Sequence, residues 1–263
     1  MGSFLNVVIY RLPLMMQREW RNDCLEFLNQ PMHEKQEKLN LMLPRSRCSH
    51  CGHQISALEN IPVISYLFLK GRCASCESPI SIQYPLVELF SGIVSVAVAV
   101  HFGVSIQTFF ALILSWSLIA ASGIDIGHKL LPDSITLPLL WLGMLLAYFS
   151  VFVDLETSVL GAMAGYMSLW SVYIVFKLIT GKEGMGHGDF KLLAMLGAWM
   201  GWKLLFVIIL TSSLVGATIG ISMILLKKTS RATQIPFGPY LAAAVWLCLL
   251  YGEQLNKFYF SFL

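Results

Sequence analysis

Residues 106–125 have the sequence IQTFFALILSWSLIAASGID, and this stretch decides the fold class of the chain. No charged side chain interrupts the run until Asp125. A helix needs ~20 consecutive apolar residues to cross the hydrocarbon core of a bilayer. The stretch therefore predicts a membrane-spanning helix with a carboxylate at its end.

Similar apolar runs lie on both sides of this segment and are separated by brief polar links. We predict spans at 84–101, 106–124, 134–153, 158–179, 204–226 and 235–252. A further run, 190–202, would reach only ~20 Å of the ~30 Å core as a helix. We expect it to be tilted or partly inserted and paired with the span that follows it. The predicted fold class is an all-α polytopic membrane protein with six to seven transmembrane helices.

The composition supports this fold class and excludes several others. Of the 263 residues, 56% are hydrophobic and 13% are charged. In a typical soluble domain about 45–50% of residues are apolar and about 25% are charged. The mean hydropathy is +0.69. These values exclude a secreted disulfide-rich mini-protein and a disordered chain. The net charge of +3 is too small for polyanion binding, so we expect membrane lipids and no nucleic acid among the partners.

The basic residues predict the orientation of the chain. Apart from Lys203 and Lys257, they all lie in residues 1–80 or in and beside the links 125–133, 180–190 and 227–234. The links at 102–105 and 154–157 have none. Because cytoplasmic loops are rich in Lys and Arg, we place residues 1–80 in the cytosol. No signal peptide is visible, and the apolar-leaning residues 2–13 are too short to span a membrane.

Four cysteines form two CxxC pairs, Cys48-Ser-His-Cys51 and Cys73-Ala-Ser-Cys76. Two such knuckles supply the four thiolates of a tetrahedral Zn²⁺ site, as in a structural zinc ribbon. Two disulfides are the alternative, which a reducing cytosol disfavours. A closed four-cysteine site leaves no open position for catalysis. We therefore predict a small cytosolic zinc-ribbon-like loop within an N-terminal domain, 1–80, and a membrane domain, 81–263.

Two aspartates lie at the predicted cytoplasmic edge of the membrane. Asp125 ends a span, and Asp189 closes the sequence Gly184-Met-Gly-His-Gly-Asp189. A carboxylate in a spanning segment costs ~2.5–3.5 kcal/mol, so it is a functional candidate. Two carboxylates that share a proton suit peptide hydrolysis.

Structural alternatives exist for each of these carboxylates. Asp189 could cap a helix that begins at Phe190, and Asp125 could be a solvated residue just past a helix end. Asp133 competes for the first role, but its place between a proline and a span favours an N-cap or a supporting polar residue. Glu88 lies one turn into a span and needs a partner or a water-filled cavity. Spacing alone leaves these alternatives open.

An ordered set of motifs extends nearly from end to end of the chain. They are GSFLNVVIYRLP (2–13), PRSRCSHC (44–51), ENIPVISY (59–66), GRCASC (71–76), YPLVE (84–88), LPD (131–133) and GHGDFKLL (186–193). With these motifs the chain resembles the type IV prepilin leader peptidases/N-methyltransferases, in the GxGD group of intramembrane aspartic proteases. In that family the first motif usually follows a first transmembrane helix. We therefore expect that this helix is missing here or that the start is assigned late.

The resemblance implies a function and a site. It implies that Asp125 and Asp189 are catalytic, and that the substrates are type IV prepilins and type II secretion pseudopilins with a basic leader. It also implies methylation of the new N-terminal amine by S-adenosylmethionine, an activity credited to the loop 44–80. The expected location is the bacterial inner membrane, with the active site facing the cytosol. A peptidase without methyltransferase activity, a small transporter and a non-catalytic assembly factor are the alternatives, and the oligomeric state stays open.

Overall fold

The computed structural model describes residues 1–30, 39–56, 58–226 and 236–260. The chain forms two compact units, Met1–Ala97 and Val98–Leu263. The predicted cytosolic cluster of Lys227, Lys228 and Arg231 lies outside the described residues.

The described residues of the first unit form three helices, of which the third continues beyond it. These are α1 (Gly2–Phe27), α2 (Ile64–Phe68) and α3 (Gln83–Phe102). The motif at 2–13 forms the first half of α1. Two of its polar side chains, Asn6 and Arg11, are buried and hydrogen-bonded. The amide of Asn6 donates to the Tyr84 carbonyl at 3.0 Å, and Arg11 donates to the Asn40 carbonyl at 3.0 Å. This apolar-leaning stretch therefore packs within the unit through specific hydrogen bonds.

The second unit contains the end of α3 and six further helices. They are α4 (Ile106–His128), α5 (Asp133–Tyr148), α6 (Leu155–Thr180), α7 (His187–Met200), α8 (Trp202–Leu225) and α9 (Gly238–Phe260). Side chains explain several of the boundaries. Ser105 and Asp154 cap α4 and α6 by accepting backbone N–H groups three residues later, and Gly181 ends α6 in the left-handed conformation that glycine adopts most easily.

The all-α membrane fold is confirmed, because helices occupy every predicted span. Four are long and apolar enough to cross a bilayer: Gln83–Phe102, Ile106–His128, Leu155–Thr180 and Trp202–Met223. Two apolar stretches are shorter, α5 and Gly238–Gly252, and α9 is kinked at Tyr251. The predicted end of the third span at 153 is wrong because α5 stops at Tyr148 and the chain turns there. The count of six to seven spans stays a prediction.

Helix α7 is the centre of the second unit. From Phe190 to Met200, every residue except Lys191 is buried. A helix that is apolar all around belongs inside a protein. It packs mainly against α6 and α5, so the prediction that it pairs with the following span, α8, is wrong.

Two glycines allow α6 and α7 to approach closely. A Cβ atom at Gly161 would collide with the backbone of Gly197, and a Cβ at Gly197 would collide with the backbone of Gly161. Without side chains the two backbones come into direct contact, as small residues permit in membrane proteins. This contact helps to hold α7, and therefore Asp189, in place.

Candidate active site

Asp125 lies in the last turn of α4 and is buried, with 5% of its surface exposed. The interpretation of a solvated residue past a helix end is therefore wrong, since α4 continues to His128. Its Oδ2 accepts a hydrogen bond of 3.0 Å from the backbone N–H of Gly238, the first residue of α9. The first N–H groups of a helix have no partner within the helix, so this carboxylate satisfies one of them.

Asp189 is the third residue of α7 and is 9% exposed. The alternative in which it caps a helix starting at Phe190 is wrong, because α7 begins at His187 with Gly186 as its N-cap. The carboxylate lies close to Gly186, since a Cβ built at Gly186 would be 3.7 Å from Asp189 Oδ2. An acidic side chain in the first turn of a helix is favoured by the positive end of the helix dipole.

The structure brings the two aspartates into one site. The negative charge of Asp125 acts on Asp189, so the two carboxylates interact electrostatically. The side chain of Leu131 lies beside Gly188, which precedes Asp189, and beside Gly238, which is bonded to Asp125. A Cβ at Gly188 would be 2.8 Å from Leu131 Cβ, and a Cβ at Gly238 would be 3.2 Å from Leu131 Cδ2. Two buried acids therefore flank a single leucine.

Asp133 has a different environment. It is the first residue of α5, after the N-cap Pro132, so the N-cap interpretation is wrong by one position. Its Oδ2 accepts a hydrogen bond of 2.6 Å from Lys191 Nζ, and about half of its side chain is exposed. The ion pair joins the start of α5 to the first turn of α7. This is the supporting polar role that the sequence also suggested.

An aromatic and charged cluster, which the sequence did not reveal, fixes the loop before Asp189. Tyr173 of α6 packs against the rings of His187 and Phe190, with centroids 5.3 and 5.5 Å away. Its hydroxyl donates to Glu183 at 3.3 Å, and Lys177 donates to the same carboxylate at 2.9 Å, which lowers the pKa of Glu183. Because loop and helix are joined in this way, the start of α7 is held against α6.

The four cysteines of the two CxxC pairs form one cluster in the first unit, with all four sulfurs within 4.8 Å of one another. The Cys48 and Cys76 sulfurs are 3.8 Å apart, and those of Cys51 and Cys73 are 3.9 Å apart. Four sulfurs at about 2.3 Å from a tetrahedral Zn²⁺ would be about 3.8 Å apart. The thiols are free, and the separations fit a shared metal rather than two disulfides.

The two knuckles have the same backbone geometry. Cys48 N–H donates to the His53 carbonyl and Cys73 N–H to the Ser78 carbonyl, both at 2.9 Å. Gly52 and Glu77, one residue after each pair, both have positive φ angles, 74° and 54°. Matched loops of this kind present two thiols each to one point, which makes the cluster able to hold a metal.

Neighbouring groups lower the pKa of two of the four thiols, those of Cys48 and Cys76. Backbone N–H groups of Cys51 and His50, together with the Ser78 hydroxyl, lower the pKa of Cys48 to about 5. Ser78 also contacts the Cys76 sulfur at 3.0 Å and lowers the pKa of that thiol. The thiolate is the form that binds metals. His53 is held by Glu59 at 3.2 Å instead of entering the cluster.

Comparison with known proteins finds family matches in both parts of the chain. Residues 1–102 match the bacterial peptidase A24 N-terminal domain, and residues 112–221 match the type IV leader peptidase family. No solved structure matches the chain.

Three relatives show the extent of the similarity, and each is named a prepilin leader peptidase/N-methyltransferase. The relative from Stutzerimonas stutzeri is 56% identical over 99% of this chain and 90% of its own length. Those from Pseudomonas aeruginosa PAO1 and Legionella pneumophila are 53% and 45% identical, again over 99% of this chain and 90% and 91% of their own lengths. This chain belongs to the type IV leader peptidase family.

Proposed function

We propose that this chain removes the basic leader of type IV prepilins and type II secretion pseudopilins with Asp125 and Asp189, and then methylates the new N-terminal amine. The relatives are named for both activities, over nearly their whole length. The observation that supports the catalytic pair is the meeting of two buried carboxylates from α4 and α7, one bonded to the first N–H of α9 and the other in the first turn of α7. A transporter needs no such pair.

The pair hydrolyses the peptide bond without a covalent intermediate. One ionised carboxylate takes a proton from water as the water oxygen attacks the scissile carbonyl carbon, while the protonated carboxyl donates a hydrogen bond to the carbonyl oxygen. The C–N bond then breaks, and the leaving amine takes a proton from the pair. Because the two groups titrate together, the acid and base roles belong to the pair.

The membrane location is consistent with this substrate. The chain is a multi-pass membrane protein. We place it in the bacterial inner membrane with its active site at the cytosolic face, following the distribution of Lys and Arg. A positively charged leader stays in the cytosol while its apolar helix enters the bilayer. The scissile bond between them then falls at the level of the aspartates.

The division of labour follows the two parts of the chain. Residues 1–80 carry the metal-binding cluster and the methyltransferase-associated segment, and residues 81–263 carry the peptidase. Cys48, Cys51, Cys73 and Cys76 hold Zn²⁺, which in a closed four-thiolate site supports folding and not chemistry. S-adenosylmethionine supplies the methyl group when it is bound.

The carboxylate pair is tested by replacing each acid with its amide. We expect Asp125→Asn and Asp189→Asn each to abolish prepilin cleavage, because an amide keeps the shape but cannot exchange the proton. Glu156→Gln is the matched control, since it changes an exposed acid in the first turn of α6. The assay is mass spectrometry of a prepilin incubated with the purified enzyme. Cleavage at the wild-type rate by either aspartate variant would exclude the pair.

A further inference from the structure

A third carboxylate, Glu88, lies in an apolar helix and is not one of the proposed catalytic pair. It is one turn into α3, in the first unit. Its Oε1 accepts a hydrogen bond of 2.6 Å from the Ser3 hydroxyl, and its Oε2 accepts one of 2.9 Å from the Val63 N–H. A carboxylate oxygen has two lone-pair sites, so each oxygen can accept a further donor. A carboxylate in a spanning helix marks a functional site by default.

The backbone at Val63 is strained in order to make this contact. Val63 has φ 61° and ψ −44°, and Ile64 N–H donates to the Pro62 carbonyl across it. This is a γ-turn of the rare, strained kind, and a β-branched residue fits it poorly. Strained backbone of this kind collects at ligand sites. The turn directs the Val63 N–H to Glu88 and holds the carboxylate in place.

Glu88 forms one end of an open surface depression of about 450 Å³. The other lining residues are apolar or glycine: Val63, Leu89, Gly92, Ile93 and Val96. Those from α3 recur every three or four residues, so they form one stripe of the helix. From Glu88 to Val96 the stripe is about 12 Å long at 1.5 Å per residue. The depression is therefore an apolar groove with one negative charge at its end.

We propose that this groove binds the N-terminal amine of the cleaved pilin, with Glu88 pairing with the amine and the apolar stripe receiving the first turns of the pilin helix. The inference rests on the proposed function, in which cleavage leaves an amine at the head of an apolar helix. That product has the complementary arrangement: a positive charge at its tip for the carboxylate, and apolar side chains behind it for the groove. Charge-assisted hydrogen bonds of this kind are the strong ones.

Methylation at this site balances as follows. The bound ammonium first loses a proton to water, and the neutral amine then attacks the methyl carbon of a sulfonium donor. An N–C bond forms, the C–S bond breaks, and the donor leaves as a neutral thioether. Positive charge moves from sulfur to nitrogen during the step, and the product ammonium loses its proton to water. A carboxylate beside the nitrogen stabilises the charge that develops there. Glu88 therefore acts by electrostatics and by orienting the amine.

Two variants separate this role from a structural one. Glu88→Gln removes the charge and keeps a hydrogen-bonding group of the same size, and Glu19→Gln is its control, since it makes the same change at an exposed acid of α1. Gly92→Leu fills the groove without touching the bonds of Glu88, because a Cβ at Gly92 meets no atom within 4 Å. Ala99→Leu places the same leucine side chain on α3 outside the groove.

The assay follows two reactions of the purified enzyme with S-adenosylmethionine: cleavage of a prepilin, and methylation of a synthetic pilin that already has its mature N-terminus. For Glu88→Gln and Gly92→Leu we expect methylation to fall at least tenfold while cleavage stays within about twofold, with a higher KM for the mature pilin in Gly92→Leu. The two controls should methylate as the wild type does.

Methylation by Gly92→Leu at the rate of Ala99→Leu would overturn the proposal, whether or not Glu88→Gln folds. Normal methylation by Glu88→Gln would also overturn it. A wild-type enzyme that methylates the mature pilin but cleaves no prepilin would refute the proposed peptidase and leave this site standing.

Discussion

Replacing Gly238 by alanine tests whether the start of α9 positions Asp125. A Cβ at residue 238 would lie 2.8 Å from Asp125 Oδ2, and ordinary contacts begin at 3.4 Å. The carboxylate oxygen must therefore retreat by about 0.6 Å, which stretches the hydrogen bond from the Gly238 N–H from 3.0 Å to about 3.6 Å. At that separation the hydrogen bond is lost.

The lost bond sets the size of the effect. A hydrogen bond to a charged group contributes about 1.5–3 kcal/mol, and about 1.4 kcal/mol changes a rate tenfold. We expect kcat for prepilin cleavage to fall by about ten- to a hundredfold in Gly238→Ala, with little change in KM. Methylation of a mature pilin should be unchanged, because it uses neither aspartate.

The control is Gly127→Ala, two residues after Asp125 in the same helix, where a Cβ meets no atom within 4 Å. Gly127→Ala should unfold at a temperature close to the wild type, and Gly238→Ala a few degrees lower, because the lost hydrogen bond also stabilises the fold. A Gly238→Ala enzyme that cleaves as fast as Gly127→Ala would show that the N–H of Gly238 has no role in positioning Asp125. A rise in KM alone would place Gly238 against the substrate instead.

Two further changes test the supports of the site and of the metal cluster. Because the ion pair of Asp133 and Lys191 is half-exposed, it should contribute only about 0.2–1 kcal/mol. We therefore expect Asp133→Asn and Lys191→Met each to slow cleavage by up to about fivefold, and the double variant to be no slower than either single variant. Additive losses in the double variant would refute the coupling of the two residues. Cys48→Ser should reduce bound zinc from about one ion per chain to none and impair methylation more than cleavage; a variant that methylates normally without metal would refute that assignment.

The sequence predicted the elements whose signal is local. Apolar runs of sufficient length predicted the spans, and two CxxC pairs predicted the cluster of Cys48, Cys51, Cys73 and Cys76. The cost of a carboxylate in an apolar run selected Asp125 and Asp189 before any contact was known. These features depend on composition and on short spacing, so a single sequence contains them.

Contacts between distant residues could not be predicted in the same way. Gly238 is 113 positions away from Asp125 in the sequence. It contributes a backbone N–H and room for the carboxylate, and neither of these can be predicted from a residue pattern. Tyr173 was indistinguishable from an ordinary core aromatic until the structure placed it beside His187. The predicted packing partner of α7 was wrong for the same reason, because helices that are neighbours along the chain are not always neighbours in a bundle.

The two aspartates share an environment that explains how a membrane protein holds two acids side by side. Each carboxylate lies at a helix start: Asp125 accepts the N–H of Gly238 at the start of α9, and Asp189 is in the first turn of α7. A helix N-terminus carries about half a positive charge and stabilises a nearby anion by up to ~2 kcal/mol. That is less than the ~2.5–3.5 kcal/mol that each ionised carboxylate costs in a spanning segment. The helix ends therefore offset most of the cost of one negative charge, and a proton shared between the two groups removes the second, which is the state that peptide hydrolysis requires.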